Sequence, residues 1–162
     1  MEILPNMRIP VLPAIFLYLF VSCTNNSVCD EVNSSELVAR FKTVESGISN
    51  DTVISGVTMY GIRDGKPDSL LIDSLTLSRI VLPLDSHHKF SRFVVSINEK
   101  RDTVKIVHST DYVMTSYACG FASVFTINSL IFSKRMIDTI EIIDAIVDTE
   151  PDQNEEHLWI YF

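Results

Sequence analysis

Residues 92–106, RFVVSINEKRDTVKI, carry the clearest structural pattern in this chain. Phe93, Val95 and Ile97 stand at every second position, and so do Val104 and Ile106. Each set can face inward while the residues between its members face outward. The polar residues 98–102 lie between the two runs. A period of two is typical of β-strands, because successive side chains point to opposite faces of a sheet. The stretch therefore predicts two antiparallel strands joined by a turn.

Short runs of the same kind recur on both sides of this stretch, and turn residues separate them. They are rich in Val, Ile, Thr and Phe, which favour strands. About eight strands of this kind predict an all-β domain, an antiparallel β-sandwich, with a small closed β-barrel as the alternative. The other runs are residues 37–42, 52–62, 70–72, 75–84, 119–127, 139–142 and 157–162.

Residues 136–147 fit either a helix or a strand. Met136, Ile140, Ile143 and Val147 have the spacing of one helix face. The segment is also rich in isoleucine, and β-branched side chains favour strands. We therefore predict a strand in this part of the chain.

Length and charge restrict the possible functions. The chain has 162 residues, which suits a single domain with a substantial core. Its net charge at pH 7 is −8, and its basic residues form no cluster. Binding to nucleic acid or to an anionic lipid surface depends on Lys and Arg side chains. Neither is therefore an expected direct partner of the protein.

An apolar segment near the N-terminus, residues 9–21, predicts an export signal. As a helix it would span about 20 Å at ~1.5 Å per residue, which is short of the ~30 Å hydrocarbon core of a bilayer. Pro10 and Pro13 would also interrupt such a helix. The length instead suits the apolar core of a signal peptide.

Cys23 lies where this segment gives way to polar residues, directly after the small residue Ser22. That arrangement is typical of a bacterial lipoprotein signal, in which the cysteine thiol receives the lipid. We predict a lipoprotein signal peptide at residues 1–22, a lipidated Cys23 with a polar tether at residues 23–35, and a single all-β domain at residues 36–162. The alternatives are an ordinary cleaved signal with Cys23 in a disulfide, and an apolar stretch without an export role.

Some details of this signal leave choices open. Phe20 stands three positions before the cysteine, where leucine is commonest, and the chain can start at Met1 or at Met7. The predicted location is the cell envelope, with the lipid in the outer membrane and the domain facing the periplasm or the exterior. Thr24 is compatible with the inner membrane as well.

The cysteine count agrees with lipidation. The chain has three cysteines, Cys23, Cys29 and Cys119, so lipidation of Cys23 leaves an even pair. An exported protein meets an oxidising environment, in which Cys29 and Cys119 can form a disulfide. Such a bridge would close a loop of about 90 residues, worth up to ~4.6 kcal/mol on the chain-entropy model. The alternative is a buried, reduced Cys119 and a free Cys29 thiol.

The histidines have simple interpretations beside their possible functional ones. His87 and His88 would point to opposite faces of a strand, so they could share a metal ion only from a loop. We interpret them as a polar turn. His157 could pair with an acid such as Glu156 or Asp144, and we interpret it as an exposed strand residue.

No sequence motif for catalysis or metal binding is present. Gly-x-Ser-x-Gly, a phosphate-binding glycine loop and His-Glu-x-x-His are missing, and Cys119-Gly120 alone is no thiol nucleophile motif. We assign no catalytic residue, no metal ligand and no cofactor. An acidic group before the last strand could offer oxygen ligands to Ca²⁺, but it lacks the pattern of a calcium loop and predicts a solvated connection. Its members are Asp144, Asp148, Glu150, Asp152, Glu155 and Glu156.

Several short motifs follow one another in order along nearly the whole mature chain. They are the lipid-attachment motif at Cys23, Cys29-Asp30, Thr58-Met59-Tyr60-Gly61-Ile62, Ser69-Leu70-Leu71, Leu82-Pro83-Leu84, Asp102-Thr103-Val104, Ala118-Cys119-Gly120-Phe121, Ile137-Asp138-Thr139-Ile140 and Trp159-Ile160-Tyr161-Phe162. In this order they resemble a family of small uncharacterised lipoproteins from Bacteroidota, domain of unknown function 6452. The resemblance implies an exported, lipid-anchored, β-rich domain in which Cys29 and Cys119 match the family's paired cysteines. It transfers no catalytic residue.

We expect a lipid-anchored, non-catalytic β-domain of the cell envelope that serves interaction or assembly. The alternative is a carrier in which a barrel encloses an apolar pocket for a small ligand. An enzyme would require His157 or His88 to meet a carboxylate and a hydroxyl in one cleft. The expected partners are the membrane, through the lipid, and an envelope protein; neither nucleic acid nor a small-molecule cofactor is expected.

Overall fold

The computed structural model describes residues 35–117, 119–149 and 155–162. The predicted signal peptide, the lipidation site Cys23, Cys29 and most of the predicted tether lie outside the described residues. The chain divides into two units, Met1–Asp30 and Glu31–Phe162, and the described residues all belong to the second. The described residues contain no candidate membrane-spanning helix.

Eleven strands and no helix make up the regular structure of the described residues. They are β1 Glu36–Glu45, β2 Ile48–Asp51, β3 Ile54–Arg63, β4 Lys66–Leu77, β5 Arg79–Pro83, β6 Phe90–Ile97, β7 Lys100–Ser116, β8 Gly120–Phe132, β9 Thr139–Ile142, β10 Ile146–Val147 and β11 Leu158–Tyr161. They form two sheets, which confirms the predicted all-β sandwich. The alternative of a closed barrel is wrong for this part of the chain, because each sheet ends in edge strands.

The larger sheet has six antiparallel strands in the order β10-β8-β7-β6-β3-β4. The predicted hairpin lies inside it and is confirmed: β6 pairs with β7 from Phe90–Val107 to Ile97–Lys100. Asn98 and Glu99 form the two-residue turn with φ of 49° and 68°. Two successive positive φ angles give a turn whose twist matches that of the flanking strands.

The smaller sheet has five strands and contains β2-β1-β11-β9 in that order. The N-terminal half of β1 also pairs with β5 and its C-terminal half pairs with β2. β1 and β11 run parallel, with Ala39 opposite Leu158 and Lys42 opposite Tyr161. The first and last strands of the domain are therefore direct neighbours.

The core fills the space between the inner faces of the two sheets. In β1, Leu37, Ala39 and Phe41 alternate with more exposed residues and are fully buried. They pack in one cluster with inward residues of the six-stranded sheet such as Val95 and Ile106. The period-two pattern of the sequence thus produces one apolar face on each sheet.

Ser78 breaks a run that the sequence predicts as one strand. The predicted strand over residues 75–84 is wrong, because β4 belongs to the six-stranded sheet and β5 to the five-stranded sheet. The chain passes between the sheets at Ser78, whose carbonyl accepts a 2.9 Å hydrogen bond from the Phe41 N–H. The predicted count of about eight strands is low partly for this reason.

Asp102 fixes a second passage between the sheets, after β8. Its carboxylate is almost fully buried and accepts a 2.5 Å hydrogen bond from the Ser133 hydroxyl. It also accepts backbone N–H groups of Arg135, Met136 and Ile137 at 2.8–3.1 Å. Burial alone would raise the pKa of Asp102, but these hydrogen bonds outweigh burial and hold the pKa below its ordinary value of 3.8.

The ambiguous segment at residues 136–147 contains strands and no helix. It forms β9, which pairs with β11, and β10, which pairs with β8. The prediction of strand structure here is confirmed. Of the residues with helical spacing, Ile140 and Val147 are buried in different sheets and Ile143 is exposed, so the spacing does not mark one apolar face.

Candidate functional site

β7 and β8 extend beyond the strands that flank them. β6 pairs with β7 only as far as Val107, and β10 meets β8 only at Phe125 and Thr126. The β7–β8 ladder nevertheless continues to Ser116 and Gly120. We call residues 109–124 the β7–β8 arm.

Large apolar side chains of the arm are exposed. Tyr117 at the tip is 99% exposed, Phe121 is 67% exposed and Tyr112 is 60% exposed. Met114 lies opposite Phe121 in the ladder and is exposed as well, and so is Val113. The arm therefore presents a group of aromatic and sulfur-containing side chains to solvent.

The exposed face of the arm is an extension of the core face. Along β7, Val104, Ile106 and His108 are buried at alternate positions, and Tyr112 and Met114 continue that alternation. Residues that share one face of a strand recur every second position. The pattern that packs the sandwich core thus runs on past the point where the described strands of the other sheet cover it.

The arm also has an unpaired edge. On the side of β7 away from β8, no described strand pairs with residues 109–116. On the other side of the arm, the Ser123 carbonyl already accepts a 2.5 Å hydrogen bond from the Ser35 hydroxyl. An unpaired edge offers backbone N–H and C=O groups to another strand.

A polar cluster, separate from the arm, joins the loop after β5 to β6 and β7. The His108 Nε2 lies 3.0 Å from the Ser91 hydroxyl oxygen, which also accepts a 2.8 Å hydrogen bond from the Asp85 N–H. His108 is almost fully buried. Burial lowers the pKa of His108 below its ordinary value of 6.5, against the smaller raising effect of the Asp85 charge. The imidazole is therefore neutral at pH 7.

This cluster lacks the geometry of a catalytic triad. The buried His108 Nδ1 has no hydrogen-bond partner among the described residues, so no carboxylate among them holds the ring as the aspartate of a triad does. The Asp85 carboxylate instead contacts the His88 Nδ1 at 2.9 Å and accepts the His87 N–H. Burial would raise the pKa of Asp85, but these hydrogen bonds and the charges of His88 and Arg63 hold it below 3.8. We interpret the cluster as a structural connection.

The cleft beside Ser91 is small. It has a volume of about 140 Å³ and is lined in part by Arg63, Asp68 and Phe90. A second cleft, of about 240 Å³, lies near Ser35 and Phe125. Pockets for drug-sized ligands usually measure ~300–1,000 Å³. Neither cleft resembles the enclosed apolar pocket that a carrier would need.

His157 is not the exposed strand residue that we predict from the sequence. It is 1% exposed, and its Nδ1 accepts a 2.9 Å hydrogen bond from the Val38 N–H. Its own N–H donates to the Val38 carbonyl at 2.9 Å, and its Nε2 lies 3.2 Å from Glu155. The imidazole extends the ladder between β1 and β11, which explains its burial. The prediction of a polar turn at His87 and His88 is confirmed, since both lie exposed between β5 and β6.

The acidic group before β11 is only partly a solvated connection. Asp144 accepts the Ile146 N–H at 2.9 Å, and Glu156 contacts both Arg40 and the Trp159 Nε1–H. Glu150 and Asp152 lie outside the described residues. In the described ranges, no three His, Cys, Asp or Glu side chains group as metal ligands.

Cys119 lies in the turn at the tip of the arm. Its N–H donates a 3.0 Å hydrogen bond to the Ser116 hydroxyl. Since Cys23 and Cys29 lie outside the described residues, lipidation and the pairing of Cys29 with Cys119 stay predictions.

The arm is not among the features predicted from the sequence, although the sequence contains a signal for it. Tyr112, Val113 and Met114 are three consecutive large residues with apolar side chains, so they cannot all face a core from one strand. Such a run indicates exposure of at least one apolar side chain. The burial of Asp102 and His108 is harder to predict, because polar residues in strands are usually outward-facing even though the alternation of Val104 and Ile106 places both inward.

Comparison with known proteins agrees with the motif resemblance described above. The model of the Family of unknown function (DUF6452) matches residues 56–162, well over half of the chain. No curated protein matches the chain, and no solved structure matches it. The matched residues include β6, β7 and β8 and therefore the whole arm. The chain belongs to the Family of unknown function (DUF6452).

Proposed function

We propose that this chain is a lipid-anchored, non-catalytic interaction module of a bacterial cell envelope. The observation that carries the proposal is the β7–β8 arm, which exposes Tyr112, Met114, Tyr117 and Phe121 together. Clustered apolar side chains on a soluble surface mark interaction sites. The lipoprotein-type signal before Cys23 and the resemblance to Bacteroidota lipoproteins support the envelope location.

The chemistry of the arm suits a protein partner. Tyr, Phe and Met are enriched in protein–protein interfaces, and Asp and Lys are depleted there. Asp111 is the one charged residue between Ser109 and Phe121. Covering a side chain as exposed as Tyr117 removes a large apolar area from water, which favours association. A carrier function receives less support, because the clefts at Ser91 and Ser35 are small.

The arm is expected to touch its partner in intact cells. A photo-crosslinking amino acid at Tyr117 should give one discrete, light-dependent adduct, since that position lies at the exposed tip of the arm. The same amino acid at Leu75, an exposed position on β4, serves as the control. Western blots of envelope fractions measure the adduct. Equal crosslinking at Tyr117 and Leu75 would contradict an interaction through the arm.

The native protein is expected to begin at an acylated Cys23. Intact-mass measurement of the chain purified from its membrane should show loss of residues 1–22 and added acyl mass on the N-terminal peptide. In the same sample, thiol alkylation should label Cys29 and Cys119 only after reduction, if the predicted disulfide forms. A chain that begins elsewhere, or that lacks acyl mass at Cys23, overturns the proposed anchor. Replacement of Cys23 by serine provides the control that cannot be acylated.

A further inference from the structure

The sheet edges in the described part of the chain differ in how well they are protected from pairing with another strand. Proteins protect edge strands from pairing with other chains by making them short or irregular, or by placing Lys, Pro or other charged residues on them. β2, β9 and β10 have four residues or fewer, and β4 pairs irregularly with β3. Some of these strands, and β5, also carry charged residues or proline. These residues are Asp51, Lys66, Pro67, Asp68, Arg79, Pro83 and Glu141.

The edge of β7 over residues 109–116 has few of these protections. Its sequence, STDYVMTS, contains no proline and no lysine, and Asp111 is its one charged residue. The β7–β8 register is regular from His108 to Met114, and it shifts at both ends of this stretch, between Val107 and His108 and between Met114 and Ser116. The edge also carries Tyr112, Val113 and Met114, which are all exposed. This edge is therefore well suited to accept another strand.

The same edge is complementary to itself. In antiparallel pairing each residue directs its N–H and C=O to the same side of its strand, so a two-fold axis must pass midway between one residue and its own copy. With the axis at Val113, Tyr112 lies opposite Met114 of the second copy, and Asp111 lies opposite Thr115. An aromatic–sulfur contact and a β-branched pair of Val113 residues result, and no like charges are opposed. An axis at Tyr112 would instead bring the two Asp111 carboxylates close together.

We propose that the chain forms a two-fold symmetric dimer by antiparallel pairing of residues 110–116, with Val113 opposite its own copy. The inference rests on the proposed function, because it names a second copy of the chain as the partner of the arm. Pairing joins the two six-stranded sheets into one continuous sheet. It also places Tyr112, Met114 and Phe121 of both copies on one face, because the axis is perpendicular to the sheet.

The chain purified as the cell processes it, in detergent, is expected to sediment as a dimer. Val113→Lys should raise the dimer dissociation constant by roughly tenfold or more, because it opposes like charges at the pairing axis. Val44→Lys is the matched control: it makes the same substitution at an exposed strand position in the other sheet and should leave the dissociation constant unchanged. Val113→Glu alone should weaken the dimer as Val113→Lys does.

A mixture of the two charged variants tests the register directly. Val113→Lys and Val113→Glu chains should associate as a heterodimer, because position 113 of each faces position 113 of the other. Rescue of association by mixing also shows that neither variant is unfolded. A monomeric native chain, equal effects of Val113→Lys and Val44→Lys, or the absence of rescue would overturn the dimer. A monomer whose Tyr117 crosslinks to a different envelope protein would refute the dimer and leave the proposed function standing.

Discussion

Replacing Asp102 by alanine is expected to lower the free energy of unfolding by about 3–5 kcal/mol. The substitution removes the acceptor of the Ser133 hydroxyl and of three backbone N–H groups at Arg135, Met136 and Ile137. In the unfolded chain these donors bond to water. In the folded variant they are buried without an acceptor, so folding costs them most of that hydrogen bonding. Urea unfolding followed by the fluorescence of Trp159, the single tryptophan, measures the loss.

Two variants separate this role from a general effect of losing charge. Asp102→Asn keeps the shape and one acceptor oxygen, so we expect a smaller loss of about 1–2 kcal/mol. Asp138→Ala removes an exposed carboxylate from the same connection and should change stability by no more than ~0.5 kcal/mol. Equal losses for Asp102→Ala and Asp138→Ala would show that the hydrogen-bonded passage after β8 contributes little.

The Asp102 carboxylate should also make the free energy of unfolding depend on pH. Because the pKa of Asp102 is lower in the folded than in the unfolded chain, its contribution is complete above the unfolded value near 3.8 and is lost as the pH falls through the folded value. The wild-type protein should therefore lose more stability between pH 5 and pH 2.5 than Asp102→Asn. Asp51 and Asp85 also have lowered pKa values, but they are present in both proteins and cancel in this comparison.

The sandwich is predictable because its determinants are local. At residues 92–106 the alternation of side chains and the polar residues between the two runs predict the β6–β7 hairpin without reference to the rest of the chain. The observed turn, Asn98 and Glu99, is shorter than the predicted one at residues 98–102. The break at Ser78 is different, because residues on both sides alternate and nothing in the sequence shows that they join different sheets. β2 is missed for a related reason: all four of its residues are exposed, so it has no inward face to detect.

The candidate site is less predictable because it depends on which strands end early. Tyr112 and Met114 belong to the same alternation as Ile106, and sequence periodicity assigns all three to the core. They are exposed because the arm extends past the described strands of the five-stranded sheet, and which strands cover a face is a tertiary property. Likewise, His157 is buried because β1 lies beside β11. These two strands are neighbours in space but lie at opposite ends of the domain sequence.

Replacing Phe41 by alanine is expected to lower the free energy of unfolding by about 3–5 kcal/mol. Phe41 is fully buried in the centre of β1, the strand that pairs with β2, β5 and β11. Its ring meets the Phe162 ring edge-on at a centroid distance of 5.4 Å. Truncation leaves a cavity and removes this aromatic contact, which itself contributes about 0.5–1.5 kcal/mol. Urea unfolding again measures the change.

The position of Phe41 gives this substitution a second, distinguishable consequence. The N–H of Phe41 bonds to the Ser78 carbonyl, and its carbonyl accepts the Thr52 N–H, so β1 is held at the passage between the sheets by backbone atoms that the substitution leaves in place. We therefore expect Phe41→Ala to weaken the core without changing the strand order, and Phe41→Leu to lose only about 1–2 kcal/mol because it refills most of the volume. Val44→Ala, at an exposed position of the same strand, should stay within ~0.5 kcal/mol of the wild type. If Phe41→Ala were as mild as Val44→Ala, the inner face of β1 could not be the centre of the core.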